Sequence, residues 1–147
     1  MPTTSNQPQL EPRLRIVEEH IRAENDGDLD GIMSTFGDHP TFVLNGDAIA
    51  GHEGIRGFYE GFGFGGRGGF SDVHVDERQR HITDEVVILE VMVTGKHTNT
   101  WQGIPATGKS FEVPLCAVFS FDDDGKLAGE RVYMDGGLLL KQLGVLS

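Results

Sequence analysis

Three side chains in the second half of the sequence, His97, Trp101 and Asp135, have the types and placement for proton chemistry on a small organic molecule. A carboxylate in an apolar hollow has its pKa raised by desolvation, which makes it a better base. A rise of about 2 units corresponds to about 2.7 kcal/mol. Asp135 in such a place would take a proton from a carbon next to a carbonyl and later return it to the new alkoxide. The intervening enolate must be held by hydrogen bonds, and His97, Asn99 or Tyr133 would supply them. Residues i, i+2 and i+4 of a strand share a face. Arg131, Tyr133 and Asp135 therefore form one set, and His97, Asn99 and Trp101 another. If both sets face inward, they make an aromatic wall with a few polar groups, the usual make-up of a small-molecule site. Each residue also has a structural role open to it. Asp135 precedes G-G-L-L-L, where Asp is a favoured helix cap. His97 and Trp101 fit a core, and Arg131 fits a surface ion pair with Glu112.

Other chemistries find less support. The six histidines form no His-x-His or His-x3-His pair, so no metal is expected. Asp122, Asp123 and Asp124 lack the later Glu of a calcium loop and read as a hairpin turn. No G-x-S-x-G elbow is present. G-x-G-x-x-G strings occur between Gly61 and Gly69, but they follow a helix and precede a strand, the wrong order for a dinucleotide site. Cys116 lies in an apolar strand and reads as a buried, inert thiol.

The elements that must position these residues follow from periodicity. Residues 1–9 are polar and aperiodic and read as a disordered tail. Leu14, Val17 and Ile21 mark a first helix, roughly 11–25. Asp28 caps a second, with Leu29, Ile32, Met33 and Phe36 as its stripe. T-F-V-L-N is a short strand. Ile55, Phe58, Tyr59 and Phe62 mark a third helix, and Phe58 and Phe62 count among the substrate-binding candidates. The run Gly61–Gly69 holds six of 21 glycines and reads as a flexible loop or as a lid carrying Phe62, Phe64 and Phe70. From residue 70 the period changes to two. Strands are expected over about 70–83, 86–102, 111–121 and 128–135, with a bend at Gly95 and Pro114 where no N–H is needed. A short terminal helix follows. Helices in front and strands behind mean α+β, with three helices packed on one face of a curved antiparallel sheet. Residues 10–147 are expected to form a single domain.

The chain has 147 residues and a formal net charge of -11. With 12 Lys and Arg and no basic run, it lacks the footprint of a nucleic-acid binder, and acidic membrane lipid is disfavoured for the same reason. Its apolar runs are too short for a transmembrane helix, and the N-terminus lacks the pattern of a secretory signal. A cytoplasmic location is the expectation.

Several segments together carry a family resemblance. They are G-K-H-T-N-T-W-Q-G-I-P-A-T-G-K, D-D-G-K-L, the Y-M-D strand end, L-L-x-Q-L-G, G-H-E-G-I-R-G-F-Y and F-S-D. From about residue 12 to 146 the chain resembles the SnoaL-like polyketide cyclases, or ester cyclases, of the nuclear-transport-factor-like superfamily. The resemblance implies a cystatin-like α+β barrel, in which a bent, mixed but mainly antiparallel sheet forms a cone around a pocket plugged by helices. It also implies homodimers and ring closure by aldol condensation without metal or cofactor. By resemblance Asp135 matches the family's acid/base aspartate, and His97 matches the histidine of its G-x-H segment.

Three functions are therefore expected in order. The first is a cofactor-independent cyclase, isomerase or lyase working through Asp135 and His97 on a small hydrophobic carbonyl compound, with Trp101, Asn99, Tyr133, Arg131, Phe58 and Phe62 around it. The second is an epoxide-hydrolase-like enzyme using Asp135, Arg131, Glu90 and water. The third is a non-catalytic binding or dimerisation module.

Overall fold

The computed structural model describes residues 7–146, so most of the expected tail lies outside the described residues. Four helices and six strands follow one another: α1 (Gln7–Asp26), α2 (Leu29–Ser34), β1 (Phe36–Leu44), β2 (Asp47–Ala50), α3 (His52–Phe62), β3 (Phe70–Ile82), β4 (Val86–His97), β5 (Ser110–Phe121), β6 (Leu127–Met134) and α4 (Gly136–Gln142). The strands form one sheet in the order β2-β1-β6-β5-β4-β3. Every neighbouring pair is antiparallel except β1 with β6, which is parallel. The fold is therefore α+β with a mixed, mainly antiparallel sheet. No helix among the described residues is long and apolar enough to cross a membrane.

Alternation sets the two faces of the sheet. In β4, Val87, Leu89, Val91 and Val93 are buried, while Ile88, Glu90, Met92 and Thr94 are less so. In β6, Leu127, Glu130 and Val132 are buried and Arg131 and Tyr133 are exposed. The helices cover the buried face with their own stripes. Helix α3 buries Ile55, Tyr59 and Phe62, and α1 buries Val17, His20, Ala23 and Glu24, a helical spacing. Pro114 lies just past the last β5–β6 pair, Leu115 with Met134, where a missing N–H costs little.

Three element boundaries differ from the periodicity reading. Helix α1 begins at Gln7 rather than near residue 11, so it takes in the last residues of the expected tail. Phe36 does not extend the α2 stripe but begins β1. Thr35 ends α2 by donating its hydroxyl to Ile32 O at 2.6 Å, and Leu127 N–H takes the Thr35 carbonyl at 2.9 Å. Sheet pairing thus claims the chain at the point where the apolar stripe would have continued. Strand β4 stops at His97 rather than near 102, because Trp101 turns back to bridge Ile104.

The glycine-rich segment packs tightly. Phe64 is buried, and Gly63 has φ +137 with Phe70 O only 1.9 Å from where a Cβ would sit. Gly63→Ala is expected to destabilise the protein by about 2 kcal/mol or more, through backbone strain and the clash. The measurement is a urea unfolding curve; an unchanged midpoint would show that this loop relaxes freely.

Candidate active site

The sheet curves around a cavity of about 70 Å³. Its walls come from the buried face of β4, β5 and β6 and from α1 and α3. Most lining residues are apolar or aromatic, among them Phe42, Phe58, Phe62, Trp101, Phe111 and Phe119. The charged lining residues are Glu24 from α1 and Glu130 from β6, joined by the Tyr59 hydroxyl from α3.

Behind them lies His20, and the four side chains form one buried cluster. His20 is completely buried, Glu24 is 7% exposed and Glu130 4%. Tyr59 Oη donates to Glu130 Oε1 at 2.6 Å. His20 Nε2 is 3.1 Å from Tyr59 Oη and 3.3 Å from both Glu24 Oε2 and Glu130 Oε1. Its Nδ1 is 2.9 Å from Thr35 Oγ1. The protons of His20 follow from its partners. The single hydrogen of Thr35 goes to Ile32 O, so His20 Nδ1 must donate to Thr35. The single hydrogen of Tyr59 goes to Glu130, so Nε2 faces only acceptors. Both ring nitrogens therefore carry hydrogen, and His20 is an imidazolium.

The electrostatics agree. Burial alone pushes His20 down, but the Glu24 and Glu130 carboxylates outweigh it and raise its pKa to about 10. Burial raises the Glu24 pKa against the pull of His20, and Glu130 adds to the rise. Burial, with Glu130 and Glu24 beside it, keeps the Tyr59 hydroxyl well above its ordinary range. His20 Nε2 approaches the Glu24 carboxyl at 3.3 Å, and hydrogen bonding with His20 and Tyr59 works against the burial that raises its pKa. Burial thus shifts Glu24 toward its neutral form, whereas Glu130 accepts the hydrogen bond that Tyr59 donates. Two carboxyls with different partners therefore face the same hollow. His20, Glu24 and Glu130 offer ligand atoms within 4.8 Å of one another and are the group among the described residues that could hold a metal ion. The group contains a single histidine, so it carries no His-x-His or His-x3-His spacing.

The residues expected from sequence divide sharply. Phe58, Phe62 and Trp101 line the cavity. Asp135, Arg131 and Tyr133 do not. The β6 alternation holds, but its inward set is Glu130, Val132 and Met134, and Tyr133 is 50% exposed on the other face. Asp135 is exposed and lies beyond the strand, where its Oδ1 accepts the Leu138 N–H at 2.9 Å as the N-cap of α4. Asn99 also lies outside, donating to Gly68 O at 3.0 Å. His97 is fully buried but stands past the end of the cavity beside Phe70, at 5.2 Å between ring centres. Its Nδ1 accepts the Thr107 N–H at 3.2 Å. The hydrolase set fails as well, since Glu90 and Arg131 are exposed away from the cavity. Asp135→Ala is expected to cost about 1 kcal/mol of stability, the usual value of an N-cap, and to leave turnover unchanged. Thermal unfolding and an activity assay check the two halves, and a large activity loss would return Asp135 to the chemistry.

Sequence reasoning missed His20, Glu24, Tyr59 and Glu130. A signal existed: His20 and Glu24 stand four apart on the stripe of Val17 and Ile21, where apolar residues belong. Glu130 likewise shares the face of Val132 and Met134.

Comparison with known proteins gives the fold a context. No curated protein matches the sequence. Among solved structures, a proposed polyketide cyclase from Xanthomonas campestris pv. campestris aligns with a TM-score of 0.81 at 19% identity, covering 92% of this chain and 98% of that one. AclR from Streptomyces galilaeus, a proposed hydroxylase, gives 0.79 at 22% identity, over 92% and 97% of the two chains. A protein with a ketosteroid isomerase-like fold from Catenulispora acidiphila, in complex with trimethylamine, gives 0.73 at 19% identity, over 90% and 93%. At these identities the likeness concerns the fold. The sequence itself matches the SnoaL-like domain over residues 17–130, most of its length, and on that match the chain belongs to the SnoaL-like domain family.

Proposed function

We propose that this protein is a cyclase- or isomerase-type enzyme that moves a proton at a carbon next to a carbonyl, with Glu130 as base and Glu24 as acid. The observation that supports this most is the pair of carboxyls turned into one apolar cavity with unlike surroundings. Glu130 takes the proton from carbon. Glu24 gives its proton to the carbonyl oxygen that gains charge, which answers the need for oxyanion stabilisation. Tyr59 and His20 hold Glu130 in place and keep the cluster from carrying two unbalanced negative charges. In an aldol ring closure the enol carbon would then bond to a second carbonyl carbon of the same substrate; the new alkoxide takes the proton that Glu130 holds, and the enol hydroxyl returns its proton to Glu24 as its carbonyl re-forms.

A second reading draws on the same pair. Two carboxyls around one buried cation also suit epoxide opening, with Glu130 activating water and Glu24 protonating the leaving oxygen. One experiment separates them: wild-type protein is incubated in deuterated water with cyclopentanone and, separately, with cyclopentene oxide. Deuterium entering the ketone's α-positions supports the first reading, and diol formation supports the second. Neither reaction above the background of buffer would reject both.

A further inference from the structure

We propose that the cavity binds small primary ammonium ions, with the nitrogen held between Glu24 and Glu130 and a short alkyl group among the aromatic walls. The inference needs the two carboxyls only as acceptors and does not rest on the carbonyl reading above.

The polar end of the cavity is short of donors. Glu24 and Glu130 both line it and bring carboxyl oxygens to one place. Among the described residues, the hydrogens that reach these carboxyls come from two groups. Tyr59 Oη donates to Glu130 Oε1 at 2.6 Å. His20 Nε2 stands 3.3 Å from both Glu24 Oε2 and Glu130 Oε1. One imidazole hydrogen thus serves two carboxyls, neither at close range. A buried acceptor without a full partner costs free energy, and a ligand head with several N–H donors removes that cost. The same end is short of positive charge. His20 is one cation against two carboxyls, and burial shifts Glu24 toward its neutral form. Among the described residues neither Lys nor Arg lines the cavity, so a second cation must come with the ligand.

The spacing suits a primary ammonium. Two charge-assisted N–H···O bonds of about 2.8 Å, diverging at a tetrahedral angle, reach oxygens about 4.6 Å apart. The ligand atoms of His20, Glu24 and Glu130 lie within 4.8 Å of one another, so one nitrogen reaches both carboxyls. A third N–H remains for Tyr59 Oη, whose oxygen has two lone pairs. The remaining walls include Phe42, Phe58, Phe62 and Trp101. They take an alkyl group, and a ring face attracts the positive charge beside it.

The test compares small compounds by NMR titration, to suit a cavity of about 70 Å³. They are isopropylamine, protonated at neutral pH, isopropanol, acetone and tetramethylammonium. The first three share a carbon skeleton and differ in the head group; the last has the charge but no N–H. Isopropylammonium is expected to bind at least tenfold tighter than isopropanol and than tetramethylammonium, with shift changes at lining residues such as Val91 and Val132. Glu24→Gln and Glu130→Gln should each bring ammonium and alcohol within threefold of one another. Glu90 is exposed away from the cavity, so Glu90→Gln should leave the preference unchanged, which separates the cavity from general attraction to a chain of charge -11. The wild-type comparison needs no variant and stands if a substitution prevents folding. Equal affinity for ammonium and alcohol, equal affinity for tetramethylammonium, shift changes confined to the surface, or a preference that survives both cavity substitutions would each overturn the proposal. Ammonium binding without deuterium entering acetone leaves this proposal in place and removes the carbonyl reading. Deuterium entering acetone without ammonium binding does the reverse.

Discussion

Glu130→Gln lowers the rate of α-proton exchange in a bound ketone by about a thousandfold, within the range that a positioned general base contributes. Glutamine keeps the shape, and its carbonyl oxygen still accepts the Tyr59 hydroxyl that now reaches Glu130 at 2.6 Å. What it loses is the lone pair basic enough to accept a proton from carbon. The loss should therefore fall on kcat more than on ligand affinity. Glu24→Gln should cost less, about a hundredfold, because the amide still offers N–H donors to the developing oxygen charge while no longer surrendering a proton. Deuterium incorporation followed by NMR gives the rates. Exchange in Glu130→Gln at the wild-type rate would remove Glu130 from the mechanism. Equal losses in the two variants would leave the pair in place but not the division of labour.

His20→Gln destabilises the folded chain by about 3 to 5 kcal/mol, the usual consequence of removing one partner of a buried ionic group. Without the imidazolium, two carboxyls remain buried near each other with no cation between them. The wild type should also show a characteristic pH dependence. The folded pKa of His20 is about 10, against an ordinary value of 6.5. The folded state therefore holds a proton that the unfolded chain has released across that interval. A raised pKa adds stability that is fully present below pH 6.5 and is lost as pH climbs toward 10. The loss in the window should approach about 1.4 kcal/mol per pH unit. Urea unfolding at pH 6, 8 and 10 reads it directly. The wild-type curve should fall more steeply than that of His20→Gln, and parallel curves would mean that His20 is neutral in the folded protein.

The architecture was largely legible because it rests on periodicity. The stripe of α3, the alternation of β4 and the cap at Asp28 all emerged where residue spacing placed them. Strand β2 did not, since D-A-I-A has only four residues and little alternation to read. The site was less legible for a different reason. Alternation in β6 correctly separated Arg131 and Tyr133 from Val132 and Met134. It could not say which set faced the helices, because both contain apolar and polar members. That choice is made by distant partners: Glu130 finds Tyr59 and His20, which are 71 and 110 positions away in the chain. Asp135 carried two roles in the sequence, and the terminal helix took it as its cap.

The parallel pairing of β1 with β6 joins Phe36–Leu44 to Leu127–Met134. A contact between such remote segments cannot form during synthesis until nearly the whole polypeptide has left the ribosome. Loop closure of that length must also be met before the sheet gives anything in return, which slows folding. The nascent chain therefore carries α1 and β1 with their apolar sides uncovered, a state prone to association and suited to chaperone binding. Glu130 arrives on the last strand, so completion of the buried His20–Glu24–Tyr59–Glu130 cluster and completion of the fold coincide.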